Sequence, residues 1–209
     1  MKSLIVLEDL LGLAKTDDDI LTMDVLKARE VQRKLEETKD GYVIIAIDAS
    51  GSMSGHKEGF AKSGAYAFAK DAVKQGYSVG VVFFNSNASL ACRPTKELSQ
   101  IKEAIKSMDT DGGTELDKGL LVASVALPSE GTRAIVVVTD GETQNEELCL
   151  KIGEQLKGKK IDIITIGTDD ADQYFLSQLA SAEHLSKKVS SADMVKAITS
   201  AAKLLPLMK

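Results

Sequence analysis

Hydroxyl and carboxylate side chains recur at alternate positions in one short stretch of the sequence. In IIAIDASGSMSG, Asp48, Ser50 and Ser52 follow an apolar run, while Gly51 and Gly55 allow the backbone to turn. Oxygen atoms at this spacing can point the same way from an extended or looping segment. Oxygen ligands without His or Cys suit a hard cation such as Mg²⁺. The same pattern also fits a strand-to-helix turn with capping serines.

A second carboxylate ends another apolar run, and a glycine-rich loop lies between the two motifs. Asp140 follows VVVT, and Thr114 follows Gly112 and Gly113 in DTDGGTELDKG. If the strands before Asp48 and Asp140 are parallel neighbours, both carboxylates lie in the crevice where open α/β sheets bind ligands. Because two carboxylates in one crevice repel each other, we expect a cation between them.

Short β-branched runs alternate with helical patterns from Tyr42 to the end of the chain. Strands are predicted at 43–47, 78–84, 134–139 and 161–166, with weaker runs at 88–92 and 184–189. Helices are predicted at 60–75, 117–126, 146–156, 172–179 and 192–205. The short link after Phe84 favours a hairpin, so 88–92 is predicted to be an antiparallel edge strand. The alternation predicts a Rossmann-like three-layer α/β sandwich, with a mainly parallel central sheet and helices on both faces.

The first forty residues show two apolar stripes of helical spacing and no strand pattern. Thr16 followed by three aspartates is a typical helix start. We therefore divide the chain into an N-terminal helical arm or hairpin, 1–40, and a main α/β domain, 41–209. The apolar stripes are expected to pack against the main domain; the alternative is an open docking surface for a partner.

Composition argues against several classes of protein. The formal charge of −5 and the pI of about 5.2 disfavour binding to a nucleic-acid backbone. Glu8 and Asp9 interrupt the first apolar run, so we predict no signal peptide, and no stretch approaches the roughly 20 apolar residues of a membrane span. Cys92 and Cys149 are predicted to be buried thiols, and a cytoplasmic location is the simplest interpretation.

The order DxSxS, then a Gly-Gly-Thr loop, then an Asp that closes a later strand resembles the von Willebrand factor A domain and its metal-ion-dependent adhesion site. The resemblance covers roughly 42–205, and its five expected positions are filled by Asp48, Ser50, Ser52, Thr114 and Asp140. It implies that the hydroxyls bind Mg²⁺ (or Mn²⁺ or Ca²⁺) directly, and that at least one carboxylate acts through water. It further implies that an Asp or Glu of a partner protein completes the coordination, in an intracellular interaction module without catalytic residues.

Two main alternatives remain open, beside an RNA-binding role that exists among relatives and that the acidic balance disfavours. In the first alternative, the chain is an accessory subunit, because intracellular relatives include accessory subunits of AAA-type ATPases and of metal chelatases. The chain has no Walker sequence of its own. It would then provide a contact surface for an ATPase in another chain. The other alternative is a Mg²⁺-dependent phosphohydrolase with Asp48 as nucleophile. Such enzymes usually need a second acid two residues on, where this chain has Ser50. No lysine or arginine near either motif obviously completes a phosphate clamp.

Overall fold

The computed structural model describes residues 40–141 and 143–208. The predicted helical arm lies outside the described residues, apart from Asp40 at its end. The strands are β1 (Gly41–Asp48), β2 (Tyr77–Phe84), β3 (Ala88–Thr95), β4 (Thr132–Thr139), β5 (Ile161–Thr168) and β6 (Ser186–Val189). The α-helices are α1 (His56–Lys74), α2 (Leu98–Lys106), α3 (Leu116–Ala126), α4 (Glu146–Gly158), α5 (Gln173–Leu179) and α6 (Met194–Ala201).

All the described strands join one sheet, in the order β3-β2-β1-β4-β5-β6. β3 runs antiparallel to β2, and every other neighbouring pair is parallel. The chain builds outward from β1 to β3 and then returns to the other side of β1, so Ile45 lies opposite Val81 in β2 and Val136 in β4. The strand order therefore reverses at β1, and the predicted fold class, including the antiparallel edge strand, is confirmed.

The side chains of β1 alternate between two apolar layers. Val43, Ile45 and Ile47 pack on the side of α1, α2 and α6, whereas Ile44 and Ala46 pack on the side of α3, α4 and α5. All five are fully buried, as expected for a central strand that helices cover on both faces. None of these helices, nor any other in the described part of the chain, is long and apolar enough to cross a membrane.

Helix α2 was not predicted from the sequence. It has 9 residues, and only Ile101 and Ile105 are buried. Their i, i+4 spacing is a helical signal, but two apolar residues in so short a segment do not establish a period. The helix packs beside α1 and covers the part of the sheet near the edge strand.

The boundaries of several other elements differ from the predictions, among them a helix start, a divided helix and the start of the last strand. α1 begins at His56, ahead of the predicted start at residue 60, because its first turn is polar and shows no apolar stripe. The segment predicted as one helix at 192–205 consists of α6 between two 3-10 turns, Ser191–Asp193 and Ala202–Leu204. His184 belongs to a 3-10 turn that precedes β6.

The two cysteines differ in their surroundings. Cys149 on α4 is buried, as predicted, and burial raises the pKa of its thiol to about 12. Cys92 is only half-buried because it lies on the edge strand β3, so the prediction of a buried thiol is wrong there.

Candidate metal centre

The carboxyl ends of β1 and β4 place the two motif carboxylates in neighbouring positions. Asp48 is the last residue of β1, and Asp140 directly follows the last residue of β4. After Asp48 the chain enters a 3-10 turn, Gly51–Met53, which carries Ser52. Because the two strands are adjacent and parallel, both motifs reach the same edge of the sheet.

Hydrogen bonds fix the Asp48 carboxylate on both of its oxygens. Oδ1 accepts from the backbone N–H of Ser50 at 2.8 Å, and Oδ2 accepts from the hydroxyl of Thr139 at 2.5 Å. The side chain is fully buried. Thr139 was not among the predicted site residues; its place next to Asp140 at the end of β4 was the available signal.

A chain of hydroxyl contacts joins the first motif to Asp140. Ser50 Oγ lies 3.0 Å from Ser52 Oγ, and Ser52 Oγ donates to Asp140 Oδ1 at 2.8 Å. Ser50 and Asp140 are buried, whereas Ser52 is exposed. The site therefore meets solvent at Ser52.

The glycine-rich loop is held against the first motif by its backbone. Gly112 O accepts from the N–H of Gly51 at 3.0 Å, and the N–H of Asp111 donates to Ala49 O at 2.9 Å. Gly112 has a φ of 75°, a conformation that favours glycine. These contacts bring the loop that carries Thr114 to the end of β1.

Thr114 and Ser52 border a small space beside Gly141. A methyl group built on Gly141 would lie 3.7 Å from Thr114 Oγ1 and 3.9 Å from Ser52 Oγ; apart from its own chain neighbours, these are the only atoms of the described residues within 4 Å. The Gly141 side of the site is thus lined by two of the predicted hydroxyl ligands. The absence of a side chain at position 141 keeps this space open.

A lysine that the sequence analysis did not single out lies within the site. Lys57 Nζ is 2.5 Å from Asp140 Oδ2 and 3.1 Å from Asp169 Oδ2. Its hydrogen bond to Asp140 raises the pKa of Lys57. In sequence Lys57 resembles any solvated lysine in the first turn of a helix, and Asp169 lies far along the chain at the end of β5, so spacing alone could not identify either.

Burial sets the electrostatics of the paired carboxylates. It raises the pKa of Asp48, against the hydrogen bonds from Ser50 and Thr139 that lower it, and the negative charge of Asp140 raises it further. Two acidic groups in a site with little water favour a nearby cation. Lys57 supplies one positive charge. Of the two carboxylates, it pairs with Asp140 and not with Asp48.

The structure brings the predicted ligands together without a cluster of acidic groups. In residues 40–141 and 143–208, no group of three or more His, Cys, Asp or Glu side chains could hold a metal ion. Any ion here would need the hydroxyls of Ser50, Ser52 and Thr114 beside Asp48 and Asp140. This oxygen-only set, with open space at Gly141, fits a hard divalent cation.

Solved structures with this fold include a bacterial pilus tip protein and a mussel byssus protein. The von Willebrand factor domain of the type V pili tip protein Mfa5 from Porphyromonas gingivalis matches with a TM-score of 0.70 and 15% identity, over 79% of this chain and 94% of that one. The proximal thread matrix protein 1 of the mussel byssus, in a structure with a zinc-occupied MIDAS motif, matches with a TM-score of 0.68 and 21% identity, over 79% of this chain and 45% of that one.

Among curated proteins, the magnesium-chelatase 60 kDa subunit of Cereibacter sphaeroides is 30% identical over 166 residues, which is 72% of this chain and 30% of that protein. The chain thus spans about a third of the length of this relative. The model of the von Willebrand factor type A domain matches residues 43–202, from β1 through α6. On this match, supported by the sheet order and the fold of the solved structures, the chain belongs to the von Willebrand factor type A domain family.

Proposed function

We propose that this domain binds a divalent cation (Mg²⁺, Mn²⁺ or Ca²⁺) through Asp48, Ser50, Ser52, Thr114 and Asp140, and that the ion then binds an Asp or Glu of a protein partner. The observation that carries the proposal is the hydroxyl chain from Ser50 through Ser52 to Asp140, beside the open space at Gly141. The zinc-occupied MIDAS of the mussel byssus protein supports ion binding on this fold.

The donor set explains why an acidic partner would be attracted to an acidic protein. Hydroxyl ligands are neutral, so they leave much of the charge of the ion unquenched. Ser52 is exposed, and a free coordination position on that side would face solvent. An incoming carboxylate then gains a strong local attraction that outweighs the net charge of −5 at short range, whereas a nucleic-acid backbone would meet the whole acidic surface.

Ion binding is tested by calorimetric titration of Mg²⁺ and Mn²⁺ into the wild type, Asp48→Ala and Ser52→Ala. We expect binding by the wild type alone, with an increase of about 2.7 kcal/mol in the free energy of unfolding at an ion concentration one hundred times Kd. Ser54→Ala is the matched control, because the Ser54 hydroxyl is two residues beyond the motif and contacts Thr110. Equal heats from wild type and Asp48→Ala would contradict the proposal.

Recognition of a carboxylate is tested separately. Partners are captured on immobilised wild type and Asp140→Ala in Mg²⁺ and in chelator, and the bound protein is then competed with peptides that contain Asp or the isosteric Asn. We expect capture only by the wild type in Mg²⁺, and release only by the Asp peptide. Release by both peptides would show that the partner does not contact the ion through a carboxylate.

A second candidate is a contact subunit of a larger machine, such as an AAA-type ATPase or a metal-chelatase-like complex. The similarity to the magnesium-chelatase subunit favours it. In that case residues 1–38 are a candidate docking arm. Deletion of residues 1–38 is expected to weaken partner capture while ion binding persists; unchanged capture would argue against a docking arm.

We infer that the domain is not an enzyme. A phosphohydrolase would need the Asp48 carboxylate as a nucleophile, but this group is fully buried and both of its oxygens accept hydrogen bonds. The Lys57 ammonium group, a type of group that binds phosphates, is already paired with Asp140 and Asp169. Mg²⁺-dependent turnover of a generic phosphoester that is lost in Asp48→Asn would overturn this inference.

A further inference from the structure

Lys57 joins the candidate ion site to a carboxylate outside the predicted ligand set. Its ammonium group contacts Asp140 at 2.5 Å and Asp169 at 3.1 Å. The Asp140 side chain is fully buried, whereas the side chains of Lys57 and Asp169 are each 27% exposed. Lys57 therefore has one partner inside the site and one at its edge.

The two oxygens of Asp140 are divided between this lysine and the hydroxyl chain. Oδ2 accepts from Lys57, and Oδ1 accepts from Ser52. A divalent cation beside Ser52 would share the same carboxylate with a positive charge a few ångströms away. At that separation two like charges repel each other, and they do so more strongly at a partly buried site than in bulk water.

We propose that Lys57 is a counter-ion that competes with the divalent cation for Asp140. When the ion binds, the Lys57 side chain moves so that its ammonium group leaves Asp140 and pairs with Asp169 alone; we call this movement the transfer. This inference rests on the proposed function, because it concerns the same ion site. It assigns to Lys57 the role of setting how much divalent ion is needed to occupy the site.

Asp169 already lies close enough to pair with the ammonium group that leaves Asp140. It directly follows β5 and has a φ of 49°, a backbone conformation that few non-glycine residues adopt. The hydrogen bond from Lys57 is the main cause of its lowered pKa, with a smaller contribution from Ser191, so it stays ionised. Asp169 is the shorter side chain of the pair, and the longer, flexible lysine side chain is the part that moves.

The charge on Lys57 also matters when no divalent ion is present. A buried carboxylate without a counter-charge is costly, and Lys57 contributes the only ion pair of Asp140 among the described residues. Removal of the lysine charge should therefore lower stability in chelator and strengthen ion binding. A lysine with only a structural role would produce the first effect without the second.

The test compares wild type, Lys57→Met and Lys62→Met by Mn²⁺ titration calorimetry and by thermal unfolding in chelator. Lys62 is the matched control, because it lies on the same helix, is 25% exposed and pairs with Glu58 at 2.5 Å. For Lys57→Met we expect a Kd at least about tenfold lower than that of the wild type and a lower Tm in chelator. For Lys62→Met we expect an unchanged Kd.

Asp169→Asn should change the Kd for the ion in the opposite direction from Lys57→Met. It leaves Lys57 without its second partner, so the ion should bind more weakly than to the wild type. In the double variant Lys57→Met/Asp169→Asn, this effect should be much smaller, because the transfer no longer occurs. Equal effects of Asp169→Asn in both backgrounds would overturn the transfer.

The outcomes separate the inference from the proposed function. A Kd for Lys57→Met equal to or above that of the wild type overturns the inference while ion binding stands. Binding by Lys57→Met but not by the wild type supports the inference and contradicts the proposed function. Absence of binding in both overturns both. Lys57→Gln repeats the comparison if Lys57→Met does not fold.

Discussion

At the scale of single residues, short hydrogen bonds hold the candidate ligands before any ion binds. Asp48 is fixed by Ser50 and Thr139, and Asp140 by Ser52. Such preorganisation lowers the entropic cost of binding, since few side chains must be ordered when the ion arrives.

Gly141→Ala tests whether the space beside Gly141 is the ion site. The added methyl group would sit at ordinary contact distance from Thr114 Oγ1 and Ser52 Oγ, so the fold should tolerate it. It would fill the space that the ion needs, and we expect at least tenfold weaker Mg²⁺ binding, a loss of about 1.4 kcal/mol or more. Titration calorimetry measures the loss, with Tm in chelator as the check on folding. An unchanged Kd would place the ion elsewhere.

Thr139→Val tests the support of Asp48. The hydroxyl of Thr139 donates to Asp48 Oδ2 in a buried setting, and its loss leaves a buried carboxylate oxygen without this partner. We expect the free energy of unfolding, from urea titration in chelator, to fall by about 1–3 kcal/mol.

Thr168→Val is the control for this substitution. Thr168 ends β5, is equally buried, and its hydroxyl has no hydrogen-bond partner among the described residues. We expect it to be neutral or stabilising, because the valine removes an unsatisfied buried hydroxyl. An equal loss in both variants would show that the β-strand hydroxyls act only through packing.

At the scale of elements, close packing of α3 on β2 positions the loop that carries Thr114. A methyl group on Gly119 would lie 2.9 Å from the ring of Phe84, so Gly119→Ala must displace the helix or the ring. We expect a loss of about 1–3 kcal/mol in the free energy of unfolding and weaker ion binding, because Thr114 lies just before Glu115, the N-cap of α3.

Gly59→Ala is the matched control for Gly119→Ala. Gly59 lies within α1, and an added methyl group would meet no atom of residues 40–141 or 143–208 within 4 Å. Alanine has the higher helix propensity, so we expect a gain of up to about 1 kcal/mol without a change in ion binding. Equal behaviour of the two variants would contradict the packing argument.

The sequence predicted the elements with strong apolar patterns and missed those with weak ones. β1, β4 and β5 are buried on both faces, and their apolar runs identified them directly. α2 exposes most of its surface and buries only two side chains, so its pattern was too short to recognise. The strand order followed from the hairpin and from the need of the chain to return across β1.

Local spacing and strand ends were enough to predict that the candidate ligands lie near one another. The contacts of Lys57 were not predictable in this way, since Asp140 and Asp169 lie 83 and more residues away and only the folded sheet brings them together. Local patterns thus indicated the donor set, whereas the counter-charge within it depends on tertiary structure.

In the domain as a whole, residues 206–208 (the C-terminal tail) pack against the end of the sheet at which β1 and β2 begin. The hydroxyl of Tyr77, at the start of β2, donates to Pro206 O, and the side chain of Met208 lies beside Gly41 at the start of β1. The tail therefore closes the end of the sheet opposite the candidate ion site. We therefore expect a substitution at this contact to lower the free energy of unfolding without changing ion binding.

Tyr77→Phe tests this contact through its pH dependence. Burial raises the pKa of Tyr77 to about 12, above the value of about 10 for an unfolded tyrosine. Between these values the unfolded state releases its proton first, so this contribution to stability is present below about pH 10 and is lost as the pH rises towards 12. Tyr77→Phe should cost about 1 kcal/mol near pH 8 and show less of the alkaline loss.

Urea unfolding of wild type, Tyr77→Phe and the exposed control Tyr174→Phe across this pH range measures the difference. A parallel decline in wild type and Tyr77→Phe would show that Tyr77 does not carry the alkaline loss. Mn²⁺ binding near pH 8 should be the same in all three proteins.

The central claim is that donors from three separate segments surround one divalent ion at the carboxyl edge of the sheet. Mn²⁺ broadens the amide signals of residues close to it, so the decisive measurement is an NMR titration of the ¹⁵N-labelled wild type and Asp48→Ala with substoichiometric Mn²⁺. We expect early loss of the amide signals of Ser50, Ser52, Thr114 and Asp140 in the wild type, with those signals retained in Asp48→Ala. Broadening centred on another acidic surface, or the same pattern in both proteins, would contradict it.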